Sequence, residues 1–259
     1  MKYCLKNRQE SLYLKKADEI KVDFRDRRSI PDLIENYPEA TIILMCYPGE
    51  EINWLDCDKW KILSKDKFIM CVSTFEDMQA CKDNGFQFYF GYPIKTFYEL
   101  RALKEMGVCY VRLAEPLFFQ MDEVKKFGIP VRAIPNVCYS DGFYREDGVC
   151  GMWIRPEDLD TYEPYVDVLE FEDADDNEKE QALFRIYSEQ KNWPGDMGML
   201  FTNFNHMGVN RLILPDVAQK RLNCGQRCQA SGACKICYRA VDLANPDKLR
   251  AYVEATEQS

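Results

Sequence analysis

The sequence predicts an α/β fold, a compact (β/α)8 TIM-like barrel with a C-terminal cysteine-rich metal-binding extension. Three observations lead there. Short β-branched or aromatic runs alternate with helical stretches through most of the 259 residues. No glycine-rich phosphate loop follows the first of those runs, which disfavours an open dinucleotide-binding sheet. Finally, Cys224, Cys228, Cys234 and Cys237 crowd into one segment near the end.

The strand-like runs are IKVDF (20–24), TIILMCY (41–47), KFIMCVS (67–73), FQFYFGY (86–92), CYVRLAE (109–115), PVRAIPNV (130–137), GMWIRP (151–156) and VDVLEFE (166–172). Helical stretches begin near Ser29, Asp56, Thr74, Lys95, Phe118, Pro156 and Asp176. Thr74 offers a side-chain acceptor with Asp77 three residues on, the signature of a helix start. Gly107 follows a helical pattern and precedes a strand, where a left-handed C-cap is expected. KTFYELRALKEMG places Phe97, Leu100, Leu103 and Met106 on one helix face. Eight units close a barrel, here over residues 1–191. Residues 138–150 interrupt the rhythm with a long connection, and 192–259 read as an extension packed on the barrel.

Composition narrows the function. A formal net charge of −9 argues against non-specific nucleic-acid binding by the whole surface. No apolar run approaches membrane-spanning length, and the opening residues lack a signal-peptide core. A cytoplasmic protein is expected, without membrane association. In that compartment the twelve cysteines are not a disulfide framework. Eight are scattered, several in apolar runs where a thiol serves as a small hydrophobe.

The other four have the spacing C-x3-C-x5-C-x2-C. Four thiolates this close can wrap one ion or cluster, and glycines at 225 and 232 let the loop turn. Zinc and a 4Fe–4S cluster both accept an all-cysteine set, so both remain open. Residues 219–239 also carry Lys220, Arg221, Arg227, Lys235 and Arg239 with no acid. That basic patch suits an anion or RNA contact, or balances an anionic metal–thiolate site.

In a barrel, reactive groups sit at the C-terminal strand ends. Those positions include Asp23, Tyr47, Ser73, Tyr92, Arg112, Glu115, Asn136 and Arg155. Glu115, with Asp23 and Arg155, is the candidate catalytic set, Glu115 for proton transfer. Asn136, Arg112 and Tyr92 are candidate substrate contacts. His206 is the only histidine, so any Ser/His/Asp or Cys/His device would have to use it.

Two segments carry a family resemblance: FGYPIKTFYELRALKEMGVCYVRLAEPLFFQMDEVKKFGIPVRAIPNVCYSDGF and IRPEDLDTYEPYVDVLEFEDADDNEKEQALFRIYSEQ. Together, over roughly residues 86–190, they resemble the collagenase-like U-thirty-two peptidase family. The resemblance implies a barrel-like fold, a cysteine-bound 4Fe–4S cluster and hydroxylation-type chemistry on RNA or quinone precursors, or peptidase activity. By position Cys138 would match the first cysteine of that family's cluster loop, and Cys150 matches less well. The sequence departs where the family has a basic "KiEGR"-like strand end, reading LEFED instead. Two functions follow: a metal-containing enzyme modifying RNA or a small anionic substrate, or a binding and assembly barrel for a protein partner, stapled by structural zinc.

Overall fold

The computed structural model describes residues 1–7, 14–135, 154–171, 177–189 and 217–225. Eight strands run β1 (Lys2–Lys6), β2 (Glu19–Asp23), β3 (Thr41–Met45), β4 (Phe68–Val72), β5 (Gln87–Phe90), β6 (Val111–Arg112), β7 (Val131–Ala133) and β8 (Val168–Phe171). Their order in the sheet is β5-β4-β3-β2-β1-β8-β7-β6, and all neighbouring pairs are parallel. The free ends of that order meet. Cys109 N donates to Phe88 O at 2.9 Å, and Ile94 pairs with Leu113 through a parallel bridge. The result is a nearly closed TIM-like barrel.

The count of eight strands holds, but one member is corrected. GMWIRP is not a barrel strand in its described part. Ile154 and Arg155 belong to no strand, and Pro156–Asp158 turn into a 3-10 helix. The missing place is taken by β1, which pairs with both β2 and β8. The sequence KYCLK hides this because its lysines dilute the apolar pattern. The proline and acids of RPED favour a helix start over a ladder.

Helices cover the outside: α1 (Ile30–Asn36), α2 (Trp54–Leu63), α3 (Phe75–Asp83), α4 (Phe97–Met106), α5 (Glu115–Phe118), α6 (Met121–Lys125), α7 (Leu159–Tyr162), α8 (Asn177–Glu189) and α9 (Val217–Leu222). The caps anticipated from sequence are formed. Thr74 accepts from Asp77 N at 3.0 Å. Thr96 and Glu99 build a reciprocal capping box at α4, and Gly107 ends that helix at φ +85°. Leu100 and Leu103 are buried, with Phe97 and Met106 packed beside them. Outward strand residues such as Ile20, Val22, Ile42, Leu44, Met70 and Phe171 join them in one shell, each buried side chain of this kind contributing about 1.5–3 kcal/mol.

The barrel interior is different. Cys4, Ile43, Ile69, Cys71, Tyr89, Tyr110 and Val168 form its apolar lining, but charge runs through it. Lys21 Nζ lies 2.6 Å from Glu170 Oε1, both side chains fully buried. Arg112 Nη2 reaches Glu170 Oε2 at 2.6 Å. Arg132 Nη1 donates to Glu19 Oε2 at 2.5 Å, and Tyr110 Oη donates to Glu19 Oε1 at 2.9 Å. The Arg132 guanidinium also sits 4.9 Å from the ring centres of both Tyr89 and Tyr110, contacts of about 2 kcal/mol when desolvated. Burying an ion costs several kcal/mol, so only such close pairing makes this interior tolerable.

Burial opposes the Glu170 charge, yet Arg112, Lys21 and Arg132 outweigh it and hold its carboxyl well below the usual carboxylate range. A depressed carboxyl contributes stability above its unfolded value, near pH 4.3, and that stability disappears as pH falls through the folded value. Glu170→Gln should lower stability by about 3–5 kcal/mol at neutral pH, since it strands buried cations. It should also flatten the acid limb of stability against pH. Denaturant melts from pH 3 to 7 check both, and an unchanged midpoint would remove Glu170 from its role as shared counter-ion.

Candidate functional site

The strand ends open into a cavity of about 570 Å³, within the range of small-molecule sites. Its β3–β4 wall comes from Met45, Cys46, Tyr47, Cys71 and Ser73. The rest of the described lining comes from the β5–β6 seam: Gly91, Tyr92, Pro93 and Lys95 after β5, Arg112 of β6, and Ala114 just beyond it. The site therefore lies where the barrel closes least tightly.

Local structure explains the opening. A Cβ placed on Gly91 would lie 3.0 Å from Cys71 Sγ and 3.4 Å from Val72 O. Only a residue without a side chain fits over Cys71 there. The Gly91 carbonyl accepts from Arg112 Nη1 at 2.8 Å, while Arg112 Nε donates to Glu170 at 2.9 Å. The guanidinium is thus fixed from both sides at the cavity floor. Ser73 Oγ donates to Cys46 O at 3.1 Å and ties the ends of β3 and β4.

Asp23 ends β2 and caps the following turn by accepting from Arg25 N at 3.1 Å. Its second carboxylate oxygen accepts from Tyr47 Oη at 3.3 Å. Burial and the Asp23 carboxylate push the Tyr47 hydroxyl up to about 12. At neutral pH it is a proton-bearing donor on the cavity wall. Burial likewise raises the Cys46 and Cys71 thiols, so both remain protonated and soft in character.

The buried barrel axis holds Lys21, Arg112 and Arg132 against Glu19 and Glu170, three cations to two carboxylates. At the rim, Lys95 is joined by Asp23 and Glu50, both bonded to Tyr47, which brings these described charges level. Among the described residues that line the cavity, the charged side chains are Lys95 and Arg112.

Of the residues singled out by sequence, Tyr47, Ser73, Tyr92 and Arg112 meet at this cavity, and Asp23 reaches it through Tyr47. Arg155 does not. It is buried and absent from the described lining, held bidentately by Asp158 at 2.6 and 2.7 Å beside the turn that replaces the expected strand. Glu115 opens α5 directly after the end of β6, and its side chain lies outside what is described. Asn136, Cys138, Cys150, His206, Cys228, Cys234 and Cys237 fall outside the described residues. Cys224 is half-buried and packs against the main core. Among the described residues, no group of three or more His, Cys, Asp or Glu side chains is placed to hold a metal ion. None of the described helices is long and apolar enough to cross a membrane.

Sequence reasoning missed Lys95, Met45, Cys71 and the axial residues Glu19, Lys21 and Arg132. Lys95 lies just beyond the strand end, where its position alone marks nothing. Glu19, Lys21 and Asp23 did leave a signal, alternating charge along EIKVD.

If Asp23 acts on the Tyr47 phenol, Asp23→Asn should bring its ionisation down from about 12 toward the ordinary tyrosine value near 10. The ultraviolet ionisation spectrum, referenced to Tyr47→Phe, reads this directly. No movement would mean that burial alone sets the value.

No protein-family match is found for this chain, and no curated protein matches it. Solved structures with some similarity to it include two. One, "Native KDPGal structure", is 14% identical with a TM-score of 0.43, covering 70% of this chain and 87% of that one. The other is a cube-shaped, highly porous protein cage designed by fusing symmetric oligomeric domains. It is 14% identical with a TM-score of 0.42, covering 98% of this chain and 82% of that one.

Proposed function

We propose that this barrel is an enzyme acting on a small anionic substrate held in the mouth cavity. The observation that carries the reading is the pair of cations, Lys95 and Arg112, among the described lining of that cavity, set above a barrel axis whose described charges are three cations to two carboxylates. Arg112 and Lys95 hold the anion. Glu170 and the Gly91 carbonyl position Arg112 without touching the substrate. Tyr47, kept protonated beside Asp23, donates a proton or a hydrogen bond to the oxygen or nitrogen that gains charge. Such a donor typically contributes 10²–10⁴-fold in rate. The cavity volume favours a small molecule over RNA, and the net charge of −9 points the same way.

Incubation with a mixture of small metabolites, followed by mass spectrometry, tests the activity. An anionic compound should be consumed by the wild type and at least a hundredfold more slowly by Tyr47→Phe. Equal rates would remove Tyr47 from the chemistry. No consumption of any compound would favour the non-catalytic assembly barrel.

The cysteine quartet supports a second element of the reading. Cys224, Cys228, Cys234 and Cys237 would hold zinc or a 4Fe–4S cluster, a choice that their thiolate set leaves open. The first of them is anchored on the barrel. Asp122 N donates to Asn223 Oδ1 at 2.9 Å, and Asn223 Nδ2 returns a bond to Asp122 Oδ2 at 2.9 Å. Gly225 N donates to Phe119 O at 2.9 Å. A cluster would bring redox capacity, as the U-thirty-two peptidase resemblance implies, and zinc would act as a staple. Metal analysis of anaerobically purified protein decides. Absorption near 400 nm with iron and sulfide marks a cluster, one colourless zinc marks a staple, and neither would remove the metal from the proposal.

A further inference from the structure

We infer that two copies of this chain associate through the outer face of α2, set end for end about a two-fold axis. The occupant is a second copy because the face is complementary to itself, in its apolar crest and in its charge. The interface lies on the outside of the barrel and is independent of the anion at the mouth.

Among the described residues, the large aliphatic side chains left exposed are Leu55, Ile62 and Leu63, at 72%, 76% and 58%, and all three belong to α2. Exposed apolar side chains scattered singly are ordinary, but three on one short helix form a patch. The inner side of that helix is already satisfied. Cys57 is buried there, and Trp54 and Trp60 pack against the main core. α2 is therefore apolar on opposite sides, and a helix of that kind is ordinarily covered on both. Leu55 and Ile62 are two turns apart, so they line up along the outer crest.

Charge selects the occupant. Asp56 and Lys59 flank the crest on one side, with Lys59 Nζ 3.5 Å from Asp56 Oδ1. Asp58 and Lys61, at the same spacing, flank it on the other. Lys61 is steadied by the Gly85 carbonyl, to which Nζ donates at 2.7 Å, and an ammonium has further donors. Each flank thus holds one acid and one base, the acid nearer the helix N-terminus. Two copies turned end for end set Lys59 beside Asp56 of the second copy and Asp58 beside Lys61 of the second copy. The two helix dipoles then run antiparallel, the favourable sense. Leu55 meets Ile62 of the second copy, and symmetry forms that contact twice. A partner of one charge sign would meet a like charge on each flank. A helix of this length spans about 15 Å, well short of a standard interface, so the dimer is weak and depends on concentration.

Sedimentation of the whole chain under reducing conditions, from about 1 µM to about 1 mM, tests this. The average mass should rise from that of one chain toward that of two. Leu55→Glu and Ile62→Glu should each weaken the dimer roughly tenfold or more. Both side chains face solvent in the single chain, so thermal melting at low concentration should stay unchanged. Lys59→Glu makes one flank wholly acidic and should weaken the dimer by a similar factor, and adding Asp56→Lys should restore it. Undiminished association in Lys59→Glu would overturn the end-for-end arrangement. A dimer that survives both Leu55→Glu and Ile62→Glu would overturn α2 as its interface. A single-chain mass throughout the range would overturn the second copy as occupant and leave the face to a protein of different sequence.

Discussion

Everything at the mouth depends on one buried carboxylate. Glu170 lies at the centre of three cations, within 2.6 Å of Lys21 and of Arg112 and 3.6 Å of Arg132. Each cation comes from a different strand, so a single side chain ties β2, β6 and β7 to β8. The seam between β5 and β6 has the sparsest pairing, and Arg112 stands beside it. Its bonds to Glu170 and to the Gly91 carbonyl supply a polar closure where the backbone ladder is thin.

An interior of this kind is not the cheapest way to fill a barrel. Buried ion pairs rarely stabilise more than well-packed apolar side chains of equal volume. What the charges supply is direction. They fix a guanidinium at the floor of the cavity and leave the axis one positive charge in excess. An anion at the mouth answers that excess. The β3–β4 wall adds sulfur and a tyrosine ring to the cavity lining. The same fold therefore provides both the charge that attracts a ligand and the surface that selects among ligands.

Much of the fold was legible in the sequence, because long amphipathic helices and their caps are local features. α4 is the clearest case, with its Thr96–Glu99 box and its Gly107 end both written in adjacent residues. The strand at Lys2–Lys6 escaped because its lysines dilute the apolar pattern, and its partner β8 lies far along the chain. GMWIRP misled for the opposite reason: its apolar residues sit beside a proline that starts a turn. The site was half legible. Strand-end position found Tyr47, Ser73, Tyr92 and Arg112, which the barrel gathers. The axial charges were harder, since the alternation in EIKVD ordinarily marks a solvent face. Only closure of the barrel turns that polar face inward and makes Glu19 and Lys21 part of the core. Arg155 shows the converse, a residue whose assigned role failed with the strand that was to present it.

The central claim is that the excess positive charge of the barrel axis is expressed at the mouth. Anomalous diffraction from crystals soaked in bromide locates anions directly. The account predicts bromide in the mouth cavity, in contact with Arg112 or Lys95, and its loss from that position in Lys95→Ala crystals. Bromide scattered over the outer surface, with none in the cavity, would contradict it.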